Sequence, residues 1–148
     1  MTDNRTIEYG PARHLPGEQI SITTNPDTEP FWQAAKERRL TACKCAQCGH
    51  FRMPPTPYCP ECQSSEKVWP KLPGTGEVFS FAICTRNPKD GSEFVYVPVV
   101  VALDGTGGAH LNANLGGIDA DDVRIGMKVT VDWTPIRDDW VLPNFKPL

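Results

Sequence analysis

The chain has 148 residues, of which 39% are hydrophobic and 22% charged. That is enough for one domain, or one small domain with an appended module, and too little for two large ones. Fifteen prolines and 12 glycines favour short elements joined by turns over long helices, and a net charge of -3 disfavours non-specific nucleic-acid binding.

No run is apolar enough to span a membrane, and Met1-Thr2-Asp3-Asn4-Arg5 lacks the apolar stretch of a secretory signal, so no membrane partner and a cytoplasmic location are expected. Residues 1–27, with Pro11, Pro16 and Pro26 among polar residues, read as an extended leader. A helix of about three turns is predicted within 28–41. Thr28 is its cap, Pro30 lies in its first turn, and Phe31 to Leu40 form its body.

Residues 42–72 hold four cysteines and the stretch Met53-Pro54-Pro55-Thr56-Pro57, which regular helix excludes. The piece is too small and too polar to fold around a hydrophobic core alone. Cys45-Ala46-Gln47-Cys48 and Cys59-Pro60-Glu61-Cys62 are two C-x-x-C pairs separated by ten residues. Each such turn brings two thiolates to one side of the backbone, and two turns complete a tetrahedron. Without an export signal, the pattern favours metal over disulfides. Structural zinc held by Cys45, Cys48, Cys59 and Cys62 is the expectation, with iron as the alternative occupant. Cys43 and Cys84 fall outside the spacing.

Residues 73–148 read as strands divided by turn signals, with a C-terminal tail. The predicted strands are Gly76–Thr85, Phe94–Leu103, Ala109–Leu115, Met127–Trp133 and the short Trp140–Leu142. A helical turn at 119–124 separates the third strand from the fourth. This order matches a five-stranded OB-fold barrel, with an open meander as the competing topology. The fold class is therefore mainly β: an N-terminal helix, a metal ribbon and a five-stranded barrel.

A series of segments in order carries a family resemblance: Cys45-Ala46-Gln47-Cys48-Gly49, Pro54-Pro55, Cys59-Pro60-Glu61-Cys62, Gly74 to Phe81, Val97 to Leu103, Asp121 to Val129 and Pro143 to Pro147. Over residues of about 31 to 147 the chain resembles a family, long catalogued as a domain of unknown function, that joins a rubredoxin-like zinc ribbon to an OB-fold. The resemblance implies a non-catalytic accessory subunit of a thiolase-superfamily enzyme that cleaves or condenses acyl-CoA thioesters. Aromatic catabolism of the toluene/benzylsuccinate type, steroid catabolism and ketone catabolism are its expected settings. The CoA thioester would be enclosed jointly with the partner.

No catalytic residue is expected within the chain, since His14, His50 and His110 are dispersed and no strand-to-helix elbow presents Cys43 or Cys84. Arg38, Arg39, Lys44, Arg52, Lys67 and Lys71 flank the ribbon and are candidates for the CoA phosphates. Phe31, Trp32, Trp140 and Phe145 are candidate partner contacts, the first two weighed against docking onto the chain's own barrel. The contrasting readings are an iron electron-transfer ribbon and an OB-fold nucleic-acid module. The latter lacks a series of stacking aromatics on the face of His110, Asn112 and Asn114.

Overall fold

The computed structural model describes residues 7–148. Glu29–Lys36 form α1, preceded by an Asn25 turn in which the side-chain Oδ1 accepts the N–H groups of Asp27 and Thr28 at 2.9 and 3.0 Å. Thr28, expected as the cap, makes no side-chain cap bond. The helix is also shorter than predicted. Arg38 adopts a left-handed conformation (φ 58°), and the Arg39 N–H reaches back to the Ala34 carbonyl at 3.0 Å, which ends the helix two turns in.

Three short strands follow: β1 (Cys43–Cys45), β2 (Phe51–Arg52) and β3 (Lys67–Val68), in the hydrogen-bonded order β2-β1-β3. This small antiparallel sheet carries the ribbon. The barrel uses β4 (Thr75–Phe81), β5 (Cys84–Arg86), β6 (Glu93–Leu103), β7 (His110–Leu115), β8 (Lys128–Pro135) and β9 (Val141–Pro147). Its strands run in the order β4-β8-β9-β7-β6, and pairing of β4 with β6 closes the cylinder. Closure makes it a five-stranded barrel, as an OB-fold requires, and rules out the open meander. The short β5 pairs only with the start of β6.

Alternation determines which side chains fill the cylinder. Val78, Val97, Val99, Val101, Leu103, Leu115, Val129 and Phe145 are each no more than 3% exposed and share one cluster. At Gly76, where β4 meets β6, a Cβ would lie 2.5 Å from the Ala102 carbonyl oxygen. Only glycine permits that approach. The predicted strand through Thr85 is two strands, β4 and β5, because the ladder with β6 ends at Phe81↔Val99 and resumes only at Cys84↔Tyr96; a register shift between Val78 and Ser80 lies within β4 itself. Ala120–Asp122 form the predicted turn between β7 and β8, as a 3-10 helix.

Two expectations need correction. The leader is fastened to the barrel from Tyr9 to His14 and carries a 3-10 turn at Gly17–Gln19; residues 1–6 lie outside the described residues. Tyr9 and Gly10 donate backbone N–H groups to the Asp121 carboxylate at 3.0 Å, Pro11 bridges Asp119, and Ala12 is 5% exposed within the core. His14 lies 3.1 Å from Asp132. The supposed C-terminal tail is β9, a seven-residue strand in register with β8 from Val129↔Pro147 to Pro135↔Val141.

Candidate functional site

The ribbon draws its ligands from two similar turns. Cys45 ends β1 and is followed by a turn in which the Gly49 N–H donates to the Cys45 carbonyl at 3.0 Å; in the second turn, the Gln63 N–H donates to the Cys59 carbonyl at 2.8 Å. Gly49 and Gln63 both have positive φ, 81° and 66°. The Cys48 N–H points at the Cys45 sulfur (3.5 Å), placing a partial positive charge beside a developing thiolate.

The four sulfurs lie within 4.8 Å of one another, with Cys45 and Cys62 at 3.5 Å and Cys48 and Cys59 at 3.6 Å. Four bonds of about 2.3 Å to one zinc ion set a tetrahedron edge of about 3.8 Å. The cluster therefore fits a closed, four-thiolate structural zinc site.

Proton affinities within the cluster point the same way. The Cys45 thiol is pulled down to about 6, first by the Cys48 backbone N–H. Cys48 is pushed up to about 12: the His50 backbone N–H favours its thiolate but is outweighed by desolvation and by the neighbouring sulfurs. Four thiolates so close repel one another unless a cation lies between them. A zinc ion would supply that charge and leave no position open for substrate.

Cys43, outside the cluster, is fully buried in β1 opposite Arg52, and burial raises its thiol. Cys84 pairs with Tyr96 across β5 and β6. Of the basic candidates, Arg38, Arg39 and Lys71 are exposed, although Arg39 binds Glu37 at 2.6 Å. Lys67 pairs with Asp27 at 3.3 Å, and the Lys44 ammonium stands 5.5 Å from the Phe51 ring. Arg52 is 6% exposed, and its Nε donates to the Thr56 carbonyl at 3.0 Å, holding the proline-rich loop.

The candidate partner contacts divide. Phe31 (5% exposed) and Phe145 (0%) are core residues of this chain, the first because α1 lies against the barrel, the second because β9 is a barrel strand. Trp32 and Trp140 remain half-buried, with ring centroids 6.5 Å apart at 78°, and Lys36 caps the Trp140 ring at 4.1 Å.

One concave site had no sequence signal. Beneath α1 lies a cavity of about 290 Å³ lined by Thr28, Phe31, Trp32, Met53, Pro54, Pro55, His110, Leu111 and Asn112. Helix, ribbon loop and barrel strand each contribute, so only the tertiary fold assembles it. The Phe79 ring stacks on His110 at 4.2 Å beside the mouth.

Comparison with known proteins adds to this geometry. Residues 32–68 match the model described as the ChsH2 rubredoxin-like zinc ribbon domain, and residues 69–134 match that of the ChsH2 C-terminal OB-fold domain. A Thermomonospora curvata protein named probable enoyl-CoA hydratase alpha subunit is 39% identical over 123 residues, 83% of this chain and 38% of that protein. The chain thus spans well under half the length of that relative. A DUF35 domain-containing scaffold protein of Methanocaldococcus jannaschii is 31% identical over 111 residues, covering 73% of this chain and 77% of its own length.

Among solved structures, a chain of the Ltp2-ChsH2(DUF35) aldolase matches with a TM-score of 0.78 and 38% identity, covering 86% of this chain and 98% of that one. A DUF35-family protein of unknown function from Sulfolobus solfataricus shares the fold, with a TM-score of 0.61, 19% identity and coverage of 84% and 87%. No helix among the described residues is long and apolar enough to cross a membrane.

Proposed function

This chain belongs to the DUF35 family, carrying its ChsH2-type zinc ribbon and OB-fold in that order, and from that premise we propose that it is an accessory subunit of a heteromeric acyl-CoA enzyme. The partner is a thiolase-superfamily chain that cleaves or condenses acyl-CoA thioesters. The observation that carries this reading is the 38% identity across 98% of a chain of the Ltp2-ChsH2(DUF35) aldolase. Aromatic, steroid and ketone catabolism remain the candidate settings.

In this reading the partner supplies the nucleophile and the acid/base groups. This chain supplies walls that order the thioester and keep water away from it. The dispersed histidines support that division: His14 is engaged with Asp132, His50 lies on the exposed ribbon, and His110 stacks on Phe79. Zinc, held by Cys45, Cys48, Cys59 and Cys62, would supply folding energy to the ribbon and no reactive position. Arg38, Arg39, Lys44 and Lys71 are the basic side chains left for the CoA phosphates, and Trp32 and Trp140 are the aromatics left for the partner.

The test is purification of the tagged full-length chain at native abundance and identification of what accompanies it, followed by assay of acyl-CoA turnover. A thiolase-like chain, with turnover only when both subunits are present, is the expected result. Recovery of RNA polymerase, ribosomes or a reductase instead, or turnover by this zinc-loaded chain alone, would overturn the reading.

A further inference from the structure

No Lys, Arg, Asp or Glu lines the cleft beneath α1. Its walls are Phe31 and Trp32 from the helix, Met53, Pro54 and Pro55 from the ribbon loop, and Leu111 from β7. Phosphate groups have no countercharge there, whereas apolar groups find aromatic and aliphatic surface. Besides Thr28 just ahead of the helix, polar groups enter at two positions of one strand, His110 and Asn112, which share a face of β7 because they are two residues apart. Neither side chain makes a hydrogen bond among the described residues, and Asn112 is exposed. Phe79, itself 56% exposed, packs on the imidazole ring with centroids 4.2 Å apart and planes tilted by 33°.

We propose that this cleft receives the acyl end of the thioester, an inference that takes the identity of its ligand from the accessory-subunit reading above. An uncharged carbonyl with an apolar tail satisfies both halves of the site. The carbonyl oxygen accepts an N–H from Asn112, and the tail lies against Phe31, Trp32, Met53 and Leu111. A volume of about 290 Å³ is at the small end of ligand sites, which run from about 300 to 1,000 Å³. It suits a single ring or a short chain. A fused polycyclic acyl group is disfavoured. The CoA nucleotide stays outside, since the lining gives its charges nothing to pair with.

The test uses the full zinc-loaded chain and thioesters that lack the nucleotide: S-benzoyl- and S-hexanoyl-N-acetylcysteamine, with N-acetylcysteamine and free CoA as unacylated controls. Nuclear magnetic resonance should show the acylated probes moving the Trp32 indole N–H and the Met53 and Leu111 methyl signals saturably. The controls should leave those signals in place. Asn112→Trp, placing bulk at the mouth from an exposed position, should weaken binding at least tenfold with the rest of the spectrum retained. Acylated probes that leave the cleft signals unmoved, or controls that move them equally, would overturn the proposal without any variant being needed. Recovery of a thiolase-like partner without probe binding would keep the accessory role and discard the cleft. Probe binding without such a partner would do the reverse.

Discussion

Gln63 and Gly49 close equivalent turns, and both have positive φ. A side chain in that conformation costs about 1 kcal/mol relative to glycine. Gln63→Gly should therefore stabilise the zinc-loaded ribbon by up to about 1 kcal/mol, readable in denaturant unfolding; a loss of stability would show that the Gln63 side chain contributes something further. Cys48→Ser removes one of four thiolates and should lower zinc retention at least tenfold, measured as metal content after dialysis against a weak chelator. At Asp121 the carboxyl is held below its ordinary value, first by the Tyr9 N–H and then by the Gly10 N–H. A depressed folded-state pKa means that the clasp contributes above the unfolded value of about 3.9 and is lost as pH falls through the lower folded value. Leader amides should thus begin to lose protection, measured against their intrinsic exchange rates, below about pH 4. Asp121→Asn should remove that pH dependence and leave the leader loose at neutral pH. The ligands were readable from spacing because a C-x-x-C turn is a local object. The clasp was not, since Asp121 lies 112 residues from Tyr9.

Helix α1 and strand β9 show how an element can be found and its role missed. Phe31 to Leu40 reads as helical, yet the pattern alone leaves open whether its aromatics face a partner or the barrel. Phe31 faces the barrel, so Phe31→Ala should cost about 3–5 kcal/mol in chemical denaturation. Trp32→Ala, from a half-buried position, should cost clearly less; equal losses would contradict the packing described. In β9, Pro143, Asn144 and Pro147 interrupt the alternation and hide the strand, since proline has no N–H to give a ladder. The register explains how they fit. Phe145 directs its carbonyl to the Gly116 N–H, on the β7 side, and Pro143 and Pro147 share its parity. Their missing donors therefore face β7, where pairing is confined to Leu115↔Phe145, while residues between them bond β8.

For the whole molecule, the ribbon sheet and the barrel are stabilised differently. The barrel has its own buried residues, whereas β1, β2 and β3 together supply only seven residues and would depend on a bound ion. Stripping the metal with a strong chelator should unprotect amides in 43–68 while those of β6, β7 and β9 stay protected, as hydrogen exchange would reveal. Simultaneous loss across both sheets would mean that the shared contacts of Leu40, Ala42 and Met53 with the core bind the two into one cooperative unit. The overall order of helix, ribbon and barrel was legible because each part has its own local code. Barrel closure followed from the strand order, but the leader's wrap and the cleft were not legible, because each exists only between distant segments. The crossed Trp32 and Trp140 rings lie on opposite sides of one such junction, one on the helix and the other beside β9. Indoles at that distance and angle couple their electronic transitions, so the molecule carries an intrinsic optical gauge. A couplet in the far-ultraviolet circular dichroism, where the strong indole transition lies, would register any lifting of the helix, with no label attached.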